Sequence, residues 1–276
     1  SGKSTAVASI AKRLGSEPFN LNVITMSLDD FYLTHADQNA LEARYPENPI
    51  LRGRGPPGTH DMKLATDVFN VLSDINSHSE KIVRIPRYDK SAFGGKGDRS
   101  NVETIELGST LHLVILEGWM VGFQSRPEHD FRNQYSQTLT PKTYIIGHKY
   151  EDLVQVNELL QPYQKSLWSK LDLLIKIIPM DYDWVYKWRL EQEHRMKALN
   201  GGFGMSDCQV HKFIDRYMPF YEFYKERVTI RHNPPSPLNG MRIFVNESRV
   251  PVEISPFSID EEAKRYDLPM ATCYDF

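Results

Sequence analysis

The chain has 276 residues, 40% of them hydrophobic and 25% charged, with a formal net charge of −3. That length suits one large α/β domain or two small ones. The charge balance gives no electrostatic reason to expect nucleic acid or an anionic membrane as a partner. Cys208 and Cys273 lie far apart, no zinc-like Cys/His spacing occurs, the apolar runs are too short for a bilayer and no signal segment opens the chain, so a reduced, cytoplasmic protein is expected.

In chain order, Ser4 to Leu14 reads as a helix, with Val7, Ile10, Ala11 and Leu14 on one face and Gly15 as its C-terminal cap. Asn22–Leu28 is a strand that ends at Asp29 and Asp30. Gln38–Arg44 is a short helix closed by Pro46 and Pro49, and Leu51–His60 is a glycine-proline loop. Asp61–Ile75 has helical spacing through Leu64, Val68, Val71, Leu72 and Ile75. Lys81–Ile85 is a short strand, and Ser91–Ser100 is a polar loop. Leu111–Leu116 has the apolar pattern of a buried parallel strand. Gln124–Lys149 lacks periodicity and reads as an irregular insertion. Val154–Ser169 is helical, Leu171–Ile178 a second buried strand, and Tyr182–Ala198 a long helix of mixed charge. Ser206–Arg227 is helical with a bend near Pro219. Asn233–Pro237 breaks the chain, Met241–Val245 is a last strand, and the tail from Ser255 is polar. Strands alternating with helices predict a parallel sheet covered on both faces, in one domain with a helical excursion after Ile178.

Six segments carry candidate chemistry. Gly2-Lys3-Ser4-Thr5 stands directly before a helix, where backbone N–H groups and the helix dipole favour phosphate. In such a loop the lysine reaches the β- and γ-phosphates and the hydroxyl binds Mg²⁺. As five residues alone, the segment is equally compatible with a simple helix cap. Asp29-Asp30 sits where ligands bind in open α/β sheets, beyond the carboxyl end of a strand. A carboxylate there can take a proton from an attacking hydroxyl, or can simply make a turn. Glu117, at the end of the most apolar strand, suits a Mg²⁺ ligand, and Gly118 allows close approach of backbone and ligand. Two basic loops, Arg52–Asp61 and Arg84–Ser91, place guanidinium forks that suit carboxylate or phosphate. On the long helix, Arg189 and Glu193 are spaced as an ordinary i, i+4 pair.

Taken together, S-G-K-S-T, S-L-D-D-F-Y, G-R-G-P-P-G-T-H-D, P-R-Y-D-K-S, L-E-G-W, V-Y-K-W-R-L-E-Q-E-H and G-M-S-D…V-H-K-F-I-D-R-Y-M-P occur in that order. The chain resembles the glycerate-kinase-like family of P-loop kinases, from Ser1 to about Val252. More distantly it is similar to phosphoribulokinase, uridine kinase and pantothenate kinase. The resemblance implies a three-layer α/β fold with a parallel sheet in the order 2-3-1-4-5. It implies a kinase-like domain over 1–255, with a helical lid at about 181–227 and a tail over 256–276. It implies ATP and Mg²⁺ as cofactors and a small-molecule hydroxyl acceptor of glycerate type.

By the same resemblance, Ser1, Gly2, Lys3, Ser4 and Thr5 match the ATP-phosphate loop, and Ser4 and Glu117 the metal site. Asp29 matches the general base, with Asp30 next in line, and Arg189 matches the lid arginine. Arg54, His60, Arg87, Tyr88 and Lys90 fall where the acceptor is expected. The chain opens at Ser1, within the loop, so the loop's first glycine and the strand ahead of it are expected to be missing. An inactive kinase-like paralogue, or a nucleoside or pantothenate kinase, is the alternative expectation.

Overall fold

The computed structural model describes residues 2–138, 143–145, 147–199, 201–225, 228 and 240–258. In chain order its elements are α1 (Lys3–Leu14), β1 (Val23–Ser27), α2 (His35–Arg44), α3 (Met62–Asp74), β2 (Ile82–Asp89), the single turn α4 (Ala92–Gly95), β3 (Asp98–Glu106) and β4 (Leu113–Glu117). Then come α5 (Glu128–Thr138), α6 (Tyr150–Leu159), α7 (Gln161–Ser166), β5 (Leu174–Pro179), α8 (Trp184–Leu199), α9 (Asp207–Asp215), α10 (Met218–Tyr224), β6 (Gly240–Val245) and β7 (Pro251–Phe257). These residues form two compact units. One comprises Gly2–Val121 with Lys149–Lys170, the other Gly122–His148 with Leu171–Phe276.

In the first unit β1 and β4 pair in parallel, Val23 opposite Leu113 and Ser27 opposite Glu117, so both strands end at one level. Ile24 and Met26 alternate into the core with the period of two that a strand imposes. A 3₁₀ turn, Leu28–Phe31, follows β1 and is capped by the Ser27 hydroxyl, which accepts from the Asp29 N–H. Its Leu28 and Phe31 are fully buried, so Asp29 and Asp30 between them are held on the other side. Asp61 caps α3 by accepting from the Leu64 N–H at 2.9 Å. The buried face of α3 is Ala65, Val68, Phe69 and Leu72. Val71, expected inside from its spacing, is 42% exposed.

β2 is longer than the sequence suggested. It pairs antiparallel with β3, with a register shift between Pro86 and Tyr88. The polar loop expected over Ser91–Ser100 therefore ends in a strand. At the hairpin tip Phe93, Gly94, Gly95 and Gly97 all have positive φ. Gly97 admits no side chain, because a Cβ there would fall 2.5 Å from the Tyr88 ring and 2.7 Å from Arg54 Nη1. α6 and α7 close the unit where one helix was expected. The break falls at Leu160, ahead of Pro162, whose ring suits only a first helical turn. Leu153, Val156, Leu160, Tyr163, Leu167 and Trp168 are completely buried there.

In the second unit β5 pairs in parallel with β6, and β6 antiparallel with β7. Both the β1–β4 and the β5–β6 pairings are parallel, as expected of a parallel sheet. β7 was not foreseen: a strand runs through Phe257, where a polar tail was expected from Ser255. α5 lies inside the stretch read as irregular, with Phe131 buried and stacked on Phe223 at 4.3 Å. The helix expected over Ser206–Arg227 is two, α9 with a Ser206/Gln209 capping box and α10 with Pro219 in its first turn. The expected chain break at Asn233–Pro237 and most of the tail lie outside the described residues. The expected burial of the parallel strands is incomplete. Val114, Ile115 and Leu116 are half-buried, and Ile175 and Ile177 exposed. Among the described residues β4 and β5 each have a ladder partner on one edge only.

Candidate active site

The site is assembled in the first unit. Ser1 lies outside the described residues. Gly2 caps α1 in the left-handed region, φ 80°, a conformation glycine adopts without steric cost. Lys3, Ser4 and Thr5 form the first turn of α1, whose unpaired N–H groups and dipole favour an anion. The Ser4 hydroxyl donates to Glu117 Oε1 at 2.7 Å, and Ser27 Oγ donates to the same oxygen at 3.2 Å. The start of α1 and the ends of β1 and β4 thus meet at Glu117.

Lys3 is half-buried. Burial pushes its ammonium below the usual lysine range, while the charges of Glu117 and Asp29 oppose that shift and Lys90 adds to it. Asp29 is held by Lys90, whose Nζ donates to Asp29 Oδ2 at 2.6 Å. Burial raises the Asp29 carboxyl. The charge and hydrogen bond of Lys90, the nearby His60 and a hydrogen bond from Tyr32 outweigh it, and the carboxyl lies below its ordinary value. Lys3, Ser4, Asp29 and Glu117 are therefore one cluster, which Lys90 joins from the hairpin.

Asp30, one residue on, is engaged differently. Its Oδ2 accepts from Arg87 Nη1 at 2.8 Å and its Oδ1 from the Tyr88 N–H at 3.3 Å. The other edge of Arg87 donates through Nε and Nη2 to Glu103 on β3. Arg87 is thereby a brace between the turn after β1 and the β2–β3 hairpin. Arg54 also acts on the chain itself. Its Nη1 donates to the carbonyls of Gly95 and Lys96 at 2.9 and 2.5 Å, and its Nη2 to that of Lys90 at 3.4 Å. It fixes the hairpin tip that carries Lys90, and lies over the Tyr88 ring at 5.7 Å. Tyr88 packs edge-on against Tyr32 at 5.3 Å.

His60 is buried. Its Nδ1 lies 2.7 Å from the Tyr163 hydroxyl, which also accepts from the Gly58 N–H at 3.0 Å. Burial pushes the imidazole down to about 3, against a smaller upward pull from Asp29. It stacks on Tyr32 at 4.4 Å. The glycine-proline loop that ends at His60 is stitched by Thr59, whose Oγ1 accepts from the Gly55 N–H, and by Trp119 Nε1, which donates to the Gly55 carbonyl. Gly118 serves packing, since a Cβ there would meet Leu28 Cβ at 2.9 Å. Arg189 belongs to the other unit, where its neighbours are Glu193 at 2.9 Å and the Phe213 ring at 5.6 Å. Tyr32, Glu103 and Tyr163 had no role in the sequence reading. Tyr32 stood beside Asp29 in S-L-D-D-F-Y, whereas nothing near Tyr163 marked it out.

The donor set around Ser4 and Glu117 is a hydroxyl and a carboxylate. These hard oxygens fit Mg²⁺, which keeps waters and phosphate oxygens as its remaining ligands. Among the described residues there is no group of three or more His, Cys, Asp or Glu that would cage a metal. No described helix is long and apolar enough to cross a membrane.

The fold and the glycine-lysine-serine-threonine helix start are those of a P-loop kinase. No family model matches the chain. It is 39% identical over 256 residues to a Schizosaccharomyces pombe protein named "Uncharacterized kinase mug58", covering 91% of this chain and 86% of that one. It is 41% identical over 203 residues to the Saccharomyces cerevisiae "Probable ATP-dependent kinase TDA10", covering 72% of this chain and 64% of that one. The solved structure of D-glycerate 3-kinase from Cryptococcus neoformans var. grubii superposes with a TM-score of 0.84 at 39% identity, covering 92% of this chain and 86% of that one. The chain belongs to the glycerate-kinase-like family of P-loop kinases.

Proposed function

We propose that this protein transfers the γ-phosphoryl group of ATP to a hydroxyl of a small hydroxy acid of glycerate type. The observation that carries this reading is the convergence of Lys3, Ser4, Asp29 and Glu117 where α1 begins and β1 and β4 end. The names of the similar proteins, an ATP-dependent kinase and a D-glycerate 3-kinase, supply the donor and the acceptor.

In this reading Gly2 to Thr5 hold the phosphates through backbone N–H groups, and Lys3 lies against the β- and γ-phosphates. Ser4 and Glu117 would hold Mg²⁺, which neutralises charge on the phosphate oxygens when bound. Asp29 accepts the proton of the acceptor hydroxyl as its oxygen forms the new P–O bond and the bond to ADP breaks. Its lowered pKa keeps it ionised and ready at neutral pH. Lys90, His60 and Tyr88 line the acceptor side. Arg54 and Arg87 act there by fixing the loops that carry Lys90 and Tyr88. Arg189 is assigned, by resemblance, to charge on the transferring phosphoryl group.

The test is a coupled ADP-release assay with ATP, Mg²⁺ and D-glycerate, run beside glycerol, uridine and pantothenate. Turnover of D-glycerate above the others is expected. Preference for uridine or pantothenate would overturn the acceptor, and no ADP release with any acceptor would overturn the activity.

A further inference from the structure

Tyr163 fixes the state of His60. The phenol oxygen accepts the Gly58 N–H at 3.0 Å, and the His60 backbone N–H also bears on it. Tyr163 is completely buried, so its own hydrogen cannot go to bulk water. The acceptor within reach is His60 Nδ1, at 2.7 Å. A neutral imidazole that accepts at Nδ1 carries its hydrogen on Nε2. That Nε2 is buried without a hydrogen-bond partner. Leaving a buried donor unsatisfied costs about 1–3 kcal/mol, and an orphan of this kind calls for a role.

The ring sits between two parts of the site. It stacks on Tyr32 at 4.4 Å, and the two residues form an antiparallel bridge. The Tyr32 N–H in turn donates to the Asp29 carbonyl at 3.3 Å, and Tyr32 and His60 both act to lower the Asp29 carboxyl. With Nδ1 turned to Tyr163, the Nε2–H lies on the opposite side of the ring.

We propose that His60 is a positioning residue for the base Asp29, locked by Tyr163 as the neutral Nε2–H tautomer, with its ring fixing Tyr32 and its N–H dipole favouring the ionised carboxylate. This rests on the reading of Asp29 as base given above. A neutral donor suits the task. A neutral imidazole adds no second cation to that of Lys90, and an N–H dipole leaves the carboxylate more basic than an imidazolium would. The other groups that bear on Asp29 are Lys90 from the hairpin tip, Lys3 from α1 and Tyr32 from its own turn. His60 is tied in turn to Tyr163, 103 positions away.

The experiment combines imidazole ¹⁵N and carboxyl ¹³C NMR with kinetics on the full chain. The wild-type His60 signals, assigned by their loss in His60→Gln, are expected to show a bare Nδ1 and a protonated Nε2. His60→Phe keeps an aromatic ring and removes the N–H. It is expected to lower kcat about 10²-fold with KM for ATP unchanged, and to move the Asp29 titration and the acidic limb of kcat to higher pH. His60→Gln, whose amide places an N–H near the Nε2 position, is expected to keep most of kcat. Tyr163→Phe is expected to give a mixture of tautomers and a smaller loss. An Nδ1–H tautomer in the wild type would overturn the proposal, as would Phe and Gln variants equally impaired or an unmoved Asp29 titration. Should His60→Phe fail to fold, the wild-type tautomer and Tyr163→Phe still decide. Absence of glycerate turnover in the wild type would sink the proposed function, while the tautomer and Asp29 titration would still be read.

Discussion

Two neighbouring ion-pair clusters flank the turn after β1, and they are built to different ends. In one, Asp30, Arg87 and Glu103 close on each other, with both edges of the guanidinium and both carboxylate oxygens of Asp30 engaged. In the other, Asp29 meets Lys90, a compact ammonium on a flexible stem whose side chain is 56% exposed. The first cluster ties a hairpin to a turn, with Nε, Nη1 and Nη2 of the guanidinium each already bonded to a carboxylate. The second can exchange partners with an incoming anion at little cost. Adjacent aspartates thus differ in what holds them: Asp30 is braced through both oxygens, and Asp29, the residue we propose as base, is held by an exchangeable lysine.

Breaking the second cluster at its centre has the largest expected effect. Asp29→Asn removes the proposed base and is expected to lower kcat by about 10²–10⁴-fold, with Mg-ATP binding by calorimetry unchanged. Full turnover in that variant would merge the two clusters into one structural brace. Breaking the first is expected to register in stability. Arg87→Met leaves Asp30 and Glu103 without their shared cation and is expected to cost about 1–3 kcal/mol, read from urea unfolding. The low end is expected, because Arg87 is about a third exposed and solvent screens it.

Lys90→Met sharpens the comparison further. With Lys90 gone, burial is the dominant influence on Asp29, so its pKa rises and the acidic limb of kcat/KM moves to higher pH. Stability has the same sign. A depressed carboxyl pKa contributes above the unfolded value and is lost as pH falls through the folded one, so the variant should lose less stability than the wild type on acidification. An unmoved limb would remove Lys90 from the account. Lys63→Ala, at an exposed i, i+4 pair with Asp67, is expected to leave both activity and melting temperature unchanged.

The strands β1 and β4 and the helices α1 and α3 could be read from the sequence, because each carries its own period and a cap or a break. The hairpin strand β3 could not. Its sequence, Asp98–Glu106, is polar, and most of its residues stay exposed, so no alternation toward a core marks it. α5 was hidden for a similar reason, with Phe131 the one fully buried side chain among those described in it. The location of the site was legible, since carboxylates at strand ends and a lysine at a helix start are local signals. The division between Asp29 and Asp30 was not. It depends on Lys90 and Arg87, 61 and 57 positions away, and only the hairpin register decides which aspartate each one meets. The two arginines read as anion ligands proved to be engaged by the chain's own carbonyls and carboxylates.

The bond between Gly58 and Tyr163 spans 105 positions. On a ribosome adding about 5–20 residues per second, the loop that ends at His60 would therefore emerge about 5–20 s before its last partner is made. Throughout that interval the Gly58 N–H and the imidazole lack the buried phenol that orders them, and the proposed acceptor side cannot take its final form. A nascent chain arrested before Tyr163 is expected to bury α3 yet leave this loop open to protease. Release of the segment through Tyr163 would then complete the loop in one step.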